Sequence, residues 1–286
     1  MPATASLLRY PGGKSQLYNY VKHLIDYNFL TNCTYVEPFA GGAGLALKLL
    51  FNNNVSQIVI NDFDPAIYAM WYSCIHYPTE LKKLVQQAPL TIQEWNRQQA
   101  IYQETDTSSI LDLGFSTLYL NRTNRSGIIS GGVLGGKDQS GKYKIGARYN
   151  RETLCHKIDQ ISSHSDRITV LNQDAKVLLA DNHFCERNCF LNIDPPYVEK
   201  GSQLYRNNFS IQDHIDFAAI VAECSMPWIV TYDICSLVQH CYRRFRHSKL
   251  NIKYSANIKR NANEYIFFSD NLCIPPDIHL ITADDL

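Results

Sequence analysis

The apolar run Cys189-Phe190-Leu191-Asn192-Ile193 leads directly into Asp194-Pro195-Pro196-Tyr197. The run has the length and composition of a buried strand, and two prolines end it because neither can donate to a sheet ladder. A carboxylate, rigid backbone carbonyls and an aromatic face are therefore expected together at the C-terminal end of a strand, where open α/β sheets bind ligands. Such a set suits a flat substrate with an exocyclic amino group. The carboxylate and a proline carbonyl accept its two N–H bonds while the tyrosine ring stacks on its face. The competing structural reading is a strand closed by a Pro-Pro turn, with Asp and Tyr there by chance.

A second group of candidates lies nearer the N-terminus. Tyr35-Val36-Glu37-Pro38-Phe39 reads as a short strand running into Ala40-Gly41-Gly42-Ala43-Gly44, and Leu45, Leu47, Leu49 and Leu50 follow at helical spacing. Gln57-Ile58-Val59-Ile60 is the next strand, closed by Asn61-Asp62-Phe63-Asp64-Pro65. This order of strand, glycine loop, helix and strand begins a doubly wound sheet. Gly42 and Gly44 match two positions of the dinucleotide fingerprint, but Leu47 occupies the third, so the pattern is incomplete. The tight turn at a helix start still lets a ligand approach the backbone closely. Asp62 stands where an acid hydrogen-bonds ribose hydroxyls in nucleotide-binding folds. NAD and S-adenosylmethionine both carry an adenosine ribose, so these residues alone do not choose between them, and a strand-end turn with Asp64-Pro65 explains Asp62 equally simply. Arg9-Tyr10-Pro11-Gly12-Gly13-Lys14 adds a cation and an aromatic beside a flexible turn. Leu8 stands where a Walker loop needs its first glycine, so this is not a P-loop.

The elements that must hold these residues fall into two parts. Ala66 to Arg122 is helical by pattern, Gly127 to Arg148 is rich in glycine, lysine and serine and reads as a loop or hairpin, and Arg151 to Ser162 forms a helix leading back. Strand-like runs return at Arg167–Leu171, Phe190–Ile193, Trp228–Tyr232 and Tyr265–Phe268, with helical patterns at Ala175–Ala180 and Gln212–Ala222. The reading is an α/β domain with helices on both faces of its sheet, built from residues 1–65 and 166–286. A helical and β-hairpin module at residues 66–165 is inserted into it.

Net charge is zero, with 27 Lys and Arg against 27 Asp and Glu, but the distribution is uneven. Between Asn121 and Lys157 stand eight basic residues, Arg122, Arg125, Lys137, Lys142, Lys144, Arg148, Arg151 and Lys157, against Asp138 and Glu152; Arg243 to Arg260 holds seven and no acid. A basic footprint on an otherwise acidic body suits a binder of phosphate backbones, and two solvated charged faces are the plainer alternative. A hydrophobic content of 45% gives no sign of disorder, and no apolar stretch reaches membrane-spanning length. Nine irregularly spaced cysteines point to free thiols in a reducing, cytoplasmic setting. His183, Cys185 and Cys189 lack a second CxxC-type pair, so no metal site is expected.

Together, Arg9–Lys14, Val36–Gly44, Asn61-Asp62, Leu120-Asn121-Arg122-Thr123-Asn124-Arg125-Ser126-Gly127 and Asp194–Tyr197 resemble the Dam-type DNA adenine-N6 methyltransferases, over about residues 7 to 270. The resemblance implies a Rossmann-like methyltransferase sheet with an inserted target-recognition domain, S-adenosylmethionine as cofactor, double-stranded DNA as partner, and no metal. It implies cofactor contacts at Tyr10, Lys14 and Asp62, with the stretch containing Glu37, Phe39, Gly41, Gly42 and Gly44 against the methionine part and Asp194 facing the reacting methyl. Tyr10 replaces the tryptophan of some members. Asp174 is expected near the adenine of the cofactor, although it also reads as a helix N-cap. Asp194, Pro195, Pro196 and Tyr197 are the implied catalytic residues, acting on an adenine flipped out of the duplex. Arg122, Arg125, Ser126, Lys137, Lys142, Lys144 and Arg148 are the implied DNA contacts. Some members carry an aromatic at the position of Arg125, which leaves the residue that wedges the duplex unassigned. A monomeric prokaryotic or phage enzyme, with a restriction endonuclease as functional companion, completes the expectation. Methyl transfer to RNA adenine, cytosine N4 or a protein amide, a NAD-dependent dehydrogenase, and a non-catalytic DNA-binding protein on the same fold are the alternatives.

Overall fold

The computed structural model describes residues 5–9, 14–105, 108–180, 188–198, 209–254 and 260–281. In chain order the strands are β1 (Thr34–Glu37), β2 (Gln57–Asn61), β3 (Ile168–Leu171), β4 (Cys189–Ile193), β5 (Trp228–Asp233), β6 (His247–Tyr254) and β7 (Arg260–Phe268). They form one sheet in the order β3-β2-β1-β4-β5-β7-β6. β1 to β5 pair in parallel, whereas β7 is antiparallel to both β5 and β6. Strand order reverses between β1 and β4, so the crevice between their C-terminal ends is the topological switch point of the sheet.

The near-continuous apolar strands follow from burial on both faces. Tyr35, Ile58, Phe190, Ile229 and Ile266 enter one hydrophobic cluster, and their neighbours Val36, Val59, Leu191, Val230 and Phe267 enter a second. The first face is covered by α1 (Tyr18–Tyr27), α2 (Gly44–Phe51), α3 (Pro65–His76) and α7 (Arg151–Ser162) through residues such as Val21, Leu47, Met70 and Ile158. The second is covered by α8 (Ala175–Ala180), α9 (Ile211–Glu223) and α10 (Ser236–Tyr242) through Leu178, Phe217 and Val238. Helices on both faces are what the sequence pattern predicts.

Between α3 and α7 lie α4 (Pro78–Gln87), α5 (Ile92–Gln103) and α6 (Ile110–Thr123). The starts of α3, α5 and α7 are encoded locally. Asp64 accepts the Ala66 N–H at 2.9 Å with Pro65 in the first turn, Thr91 caps α5 through Glu94 N, and Asn150 caps α7 through Thr153 N. Trp71, Phe115, Leu118 and Ile158 belong to the same cluster as Tyr35 and Ile58, so these helices and the sheet share one core.

Of the loop or hairpin expected at Gly127–Arg148, the structure shows the loop and no hairpin. The segment holds an isolated bridge between Asn124 and Val133 and a 3-10 turn at Ile145–Arg148. Side-chain amides take the place of a ladder. Asn124 Nδ2 donates to the carbonyls of Ile128 and Ile129, and Gln139 donates to Leu134 O and Gly136 O while accepting from Ile145 N. With backbone groups satisfied in this way, two strands gain little by pairing. An antiparallel pair among the described residues is β6–β7, of which β6 lies in the second basic window and only Tyr265–Phe268 reads as strand from sequence.

One buried side chain ties the strand ends together. Asn61, at the end of β2, donates through Nδ2 to Pro38 O (2.9 Å) and Gln173 O (3.0 Å) and accepts from Gln173 N at 2.9 Å. It thereby links the loops that leave β1 and β3. Replacing Asn61 with alanine strands these buried groups, at a cost of roughly 2–4 kcal/mol. Urea denaturation is expected to show a lower midpoint with an unchanged m-value.

Candidate active site

Asp194 leaves β4 at the switch point, and the described residues treat its two oxygens differently. Oδ1 accepts from Thr231 Oγ1 at 2.8 Å, from the Lys14 ammonium at 3.1 Å and from the Tyr197 hydroxyl at 3.4 Å. Oδ2 receives no hydrogen bond among the described residues. The side chain retains 23% exposure, so that oxygen can meet a ligand. Lys14, in the short 3-10 turn Lys14–Leu17, is buried. Its ammonium also reaches Glu264 Oε2 at 2.9 Å and hydrogen-bonds the Tyr197 hydroxyl. An ammonium has three N–H groups, and these three partners occupy them.

Burial opposes the Lys14 charge, but Asp194 and Glu264 outweigh it and hold the pKa above the ordinary lysine value. Burial raises the Glu264 pKa, and Lys14 pulls part of that back. β7 runs against the parallel strands, so its N-terminal half lies beside their C-terminal ends. Glu264 pairs with Asp233, the last residue of β5, and so reaches the site. Asp233 Oδ1 accepts the Val198 N–H at 3.2 Å and fixes the chain just beyond Tyr197. Behind Tyr197, the ring of Tyr232 lies 6.4 Å away, and its hydroxyl hydrogen-bonds His214 Nδ1 at 2.7 Å. Burial lowers the His214 pKa, which favours a neutral imidazole.

Across the crevice, Gly41 and Ala43 take left-handed φ values of 45° and 44° in the turn before α2. Asp62 accepts the Gly41 N–H through Oδ2 at 2.9 Å and the Asp64 N–H through Oδ1 at 3.0 Å. Burial pushes its pKa up to about 7, against the effect of these two amides. The Gly41 carbonyl accepts from Trp71 Nε1 at 2.8 Å, so α3 braces the loop from behind.

A family profile described as D12 class N6 adenine-specific DNA methyltransferase matches residues 10–256. The chain belongs to this family. A sequence search among curated proteins finds no match. Membership makes the chain an enzyme that methylates adenine N6 in DNA, and its sheet is the Rossmann-like one of α/β methyltransferases.

Within this methyltransferase, several of the residues that the resemblance implies at the cofactor also have partners inside the protein. Lys14 is expected against the cofactor, yet its N–H groups serve Asp194, Glu264 and Tyr197. Glu37 is expected there too. Instead it is buried, accepts the Ala46 N–H and the Tyr35 hydroxyl at 3.2 Å each, and anchors the start of α2. Phe39 makes edge-to-face contacts with Phe209 and Phe217 at 5.9 and 5.4 Å between centroids. Asp174 acts as the helix cap it also resembles, accepting Lys176 N at 2.8 Å at the start of α8. Gly41, Gly42 and Gly44 form the turn facing Asp62. Tyr10, His183 and Cys185 lie outside the described residues, among which no group of His, Cys, Asp and Glu could hold a metal ion. Glu264 and Thr231 escape sequence reading, since no short motif contains them, and Asn61 is read there only as the neighbour of Asp62. A lone acid near the start of an apolar run is the sole local signal for Glu264.

The basic windows divide as well. Arg122, implied at the DNA, is held by the protein: Nε donates to Leu7 O at 2.7 Å, and burial lowers its pKa to about 10. Lys157 donates to Ser6 O, and Arg151 to Gln86 O and Ala88 O. Arg125, Lys137, Lys142, Lys144 and Arg148 are exposed. Lys142 and Arg148 flank the half-exposed Tyr143 ring at 5.7 and 5.6 Å, beside a groove that Arg125 also lines. Ser126 sits in the turn Arg125–Gly127 with φ 58°. In the second window, Arg244 and Arg246 donate to backbone carbonyls of Ala222, Ser269 and Leu272. A carbonyl bond leaves the charge in place but fixes the side chain to the protein.

Burial raises the Glu37 pKa to about 8 in the folded state, against an ordinary value of 4.5. The folded form therefore binds more protons than the unfolded chain across that interval, and stability falls as pH rises through it. Glu37→Gln removes this contribution, so its thermal midpoint is expected to fall less than wild type between pH 5 and 8. Equal slopes in melts across that range would exclude Glu37 as the titrating group.

Proposed function

We propose that the enzyme binds S-adenosylmethionine at the ends of β1 and β2 and methylates an adenine flipped from duplex DNA into the crevice beside Asp194. The observation that carries this reading is the asymmetric environment of the Asp194 carboxylate, with one oxygen saturated internally and the other left for an amino group. The cofactor fits the residues on the opposite side. Asp62 is a half-buried carboxylate with no cation beside it among the described residues, and its remaining lone pairs suit the two ribose hydroxyls. The left-handed turn at Gly41–Gly44 lets the chain come close to the methionine part. Bound there, S-adenosylmethionine supplies a methyl on a positively charged sulfur, which keeps the C–S bond pair on leaving.

The residues of the chain then carry distinct tasks. Extruding a base costs about a few kcal/mol, and the wall formed by Tyr197 and Pro196 offsets part of it through ring contact. Asp194 Oδ2 and the Pro195 carbonyl accept the two amino hydrogens, drawing the nitrogen lone pair out of the ring and toward the methyl. As the N–C bond forms, positive charge grows on nitrogen, and Asp194 stabilises it before a proton is lost from that nitrogen. Lys14 and Thr231 hold Oδ1 and so fix the rotamer that aims Oδ2. We assign recognition of the duplex to residues 66–165, with Arg125, Lys137, Lys142, Lys144 and Arg148 on the phosphates or base edges.

Asp194→Ala is expected to lower transfer of labelled methyl to DNA by at least about 10²–10³-fold, while DNA affinity by fluorescence anisotropy stays within about twofold. A variant that methylates at the wild-type rate would sink the mechanism. Lys142→Ala and Arg148→Ala should each reduce the slope of log K against log salt by about 0.9, one phosphate contact apiece. Arg122→Ala should instead lower the melting temperature, because it removes the donor to Leu7 O. An unchanged slope takes the first two residues out of the interface.

A further inference from the structure

Resting on the cofactor reading above, we propose that Glu264 sets the charge of the active site: by balancing Lys14, it leaves Asp194 with an uncompensated negative charge for the cationic methyl donor and the reacting amine. Among the described residues the cluster contains one ammonium, Lys14, and two carboxylates, Asp194 and Glu264, at 3.1 and 2.9 Å from it. Paired with Asp194 alone, Lys14 would cancel the charge the reaction needs. Shared between both acids, it leaves the cluster one unit negative. Glu264 is 2% exposed, so water screens it weakly, and its burial is favourable only because the cation is there. Asp194 is the more exposed of the two acids, so the surplus charge faces the ligand side.

Glu264 is thus a positioning residue that acts through Lys14 and touches neither substrate nor cofactor. The cluster without ligand carries one unit of negative charge, which the sulfonium offsets. After the methyl has moved, the sulfur is neutral and that attraction is gone. The arrangement therefore favours the methyl donor over its demethylated product, two molecules that differ by one methyl group and one unit of charge.

The test is isothermal titration of the full chain with S-adenosylmethionine and with S-adenosylhomocysteine at pH 7.5. Glu264→Gln keeps the shape and an acceptor oxygen but removes the charge. It should weaken S-adenosylmethionine relative to S-adenosylhomocysteine by about tenfold, as expected for a unit charge roughly 10 Å away at an effective dielectric of about 20. A role in packing alone would weaken both ligands equally. The double variant K14M/E264Q removes cation and counter-ion together and leaves no unpaired buried charge in their place. Its preference should return to within about twofold of wild type, although every Lys14 contact is gone. An unchanged ratio in E264Q, or a double variant as impaired in its preference as E264Q, overturns the proposal. Wild-type protein that binds neither molecule overturns the cofactor reading itself, an outcome distinct from either of these.

Discussion

A buried ammonium holds the catalytic half of this protein in register. Lys14 comes from a turn near the N-terminus, Asp194 and Tyr197 from the end of β4, and Glu264 from β7, and one nitrogen contacts all three. Taking such a group out of water is costly unless each of its protons finds an acceptor. That requirement constrains much of the fold. β7 must run antiparallel to bring an acid to the right edge, Thr231 must complete the Asp194 acceptor set, and the N-terminal segment must be carried across the sheet to deliver the lysine.

The opposite side of the crevice obeys a different constraint, the close passage of backbone. Asn61 fastens the loops after β1 and β3 to the end of β2, Asp62 holds the Gly41 amide, and Trp71 holds the Gly41 carbonyl. The glycine turn is thereby fixed from three directions before any ligand arrives. A pre-set turn on one side and a pre-set carboxylate on the other suit a reaction between two bound partners, where much of the rate comes from holding them in line.

Much of this was legible in the sequence, for identifiable reasons. Apolar runs buried on both faces declare β1, β2, β4 and β5, and the prolines at 195 and 196 mark where β4 must stop. Three features were not legible, because side-chain partners that no short motif reveals decide them. Glu264 gains meaning only beside Lys14, 250 residues away. Arg122 looks like a phosphate contact until Leu7 O is seen within reach. The glycine-rich segment resembles a hairpin in composition, but Asn124 and Gln139 side chains satisfy the backbone that a hairpin would have paired.

Beyond the core shared by the insertion and the body, one contact between α6 and the N-terminal segment is specific. Asn121 exchanges hydrogen bonds with both backbone groups of Arg9 and also donates to Gly127 O, while Gly127, at φ +79°, approaches Arg9 O so closely that a Cβ there would lie 2.3 Å from it. Arg9 lies five positions before Lys14 in the chain. Asn121 and Gly127 thus hold the backbone of the segment that leads to the active-site ammonium. A side chain added at Gly127, or an amide lost at Asn121, would be felt at Arg9 and passed along the chain toward the nitrogen that meets Asp194.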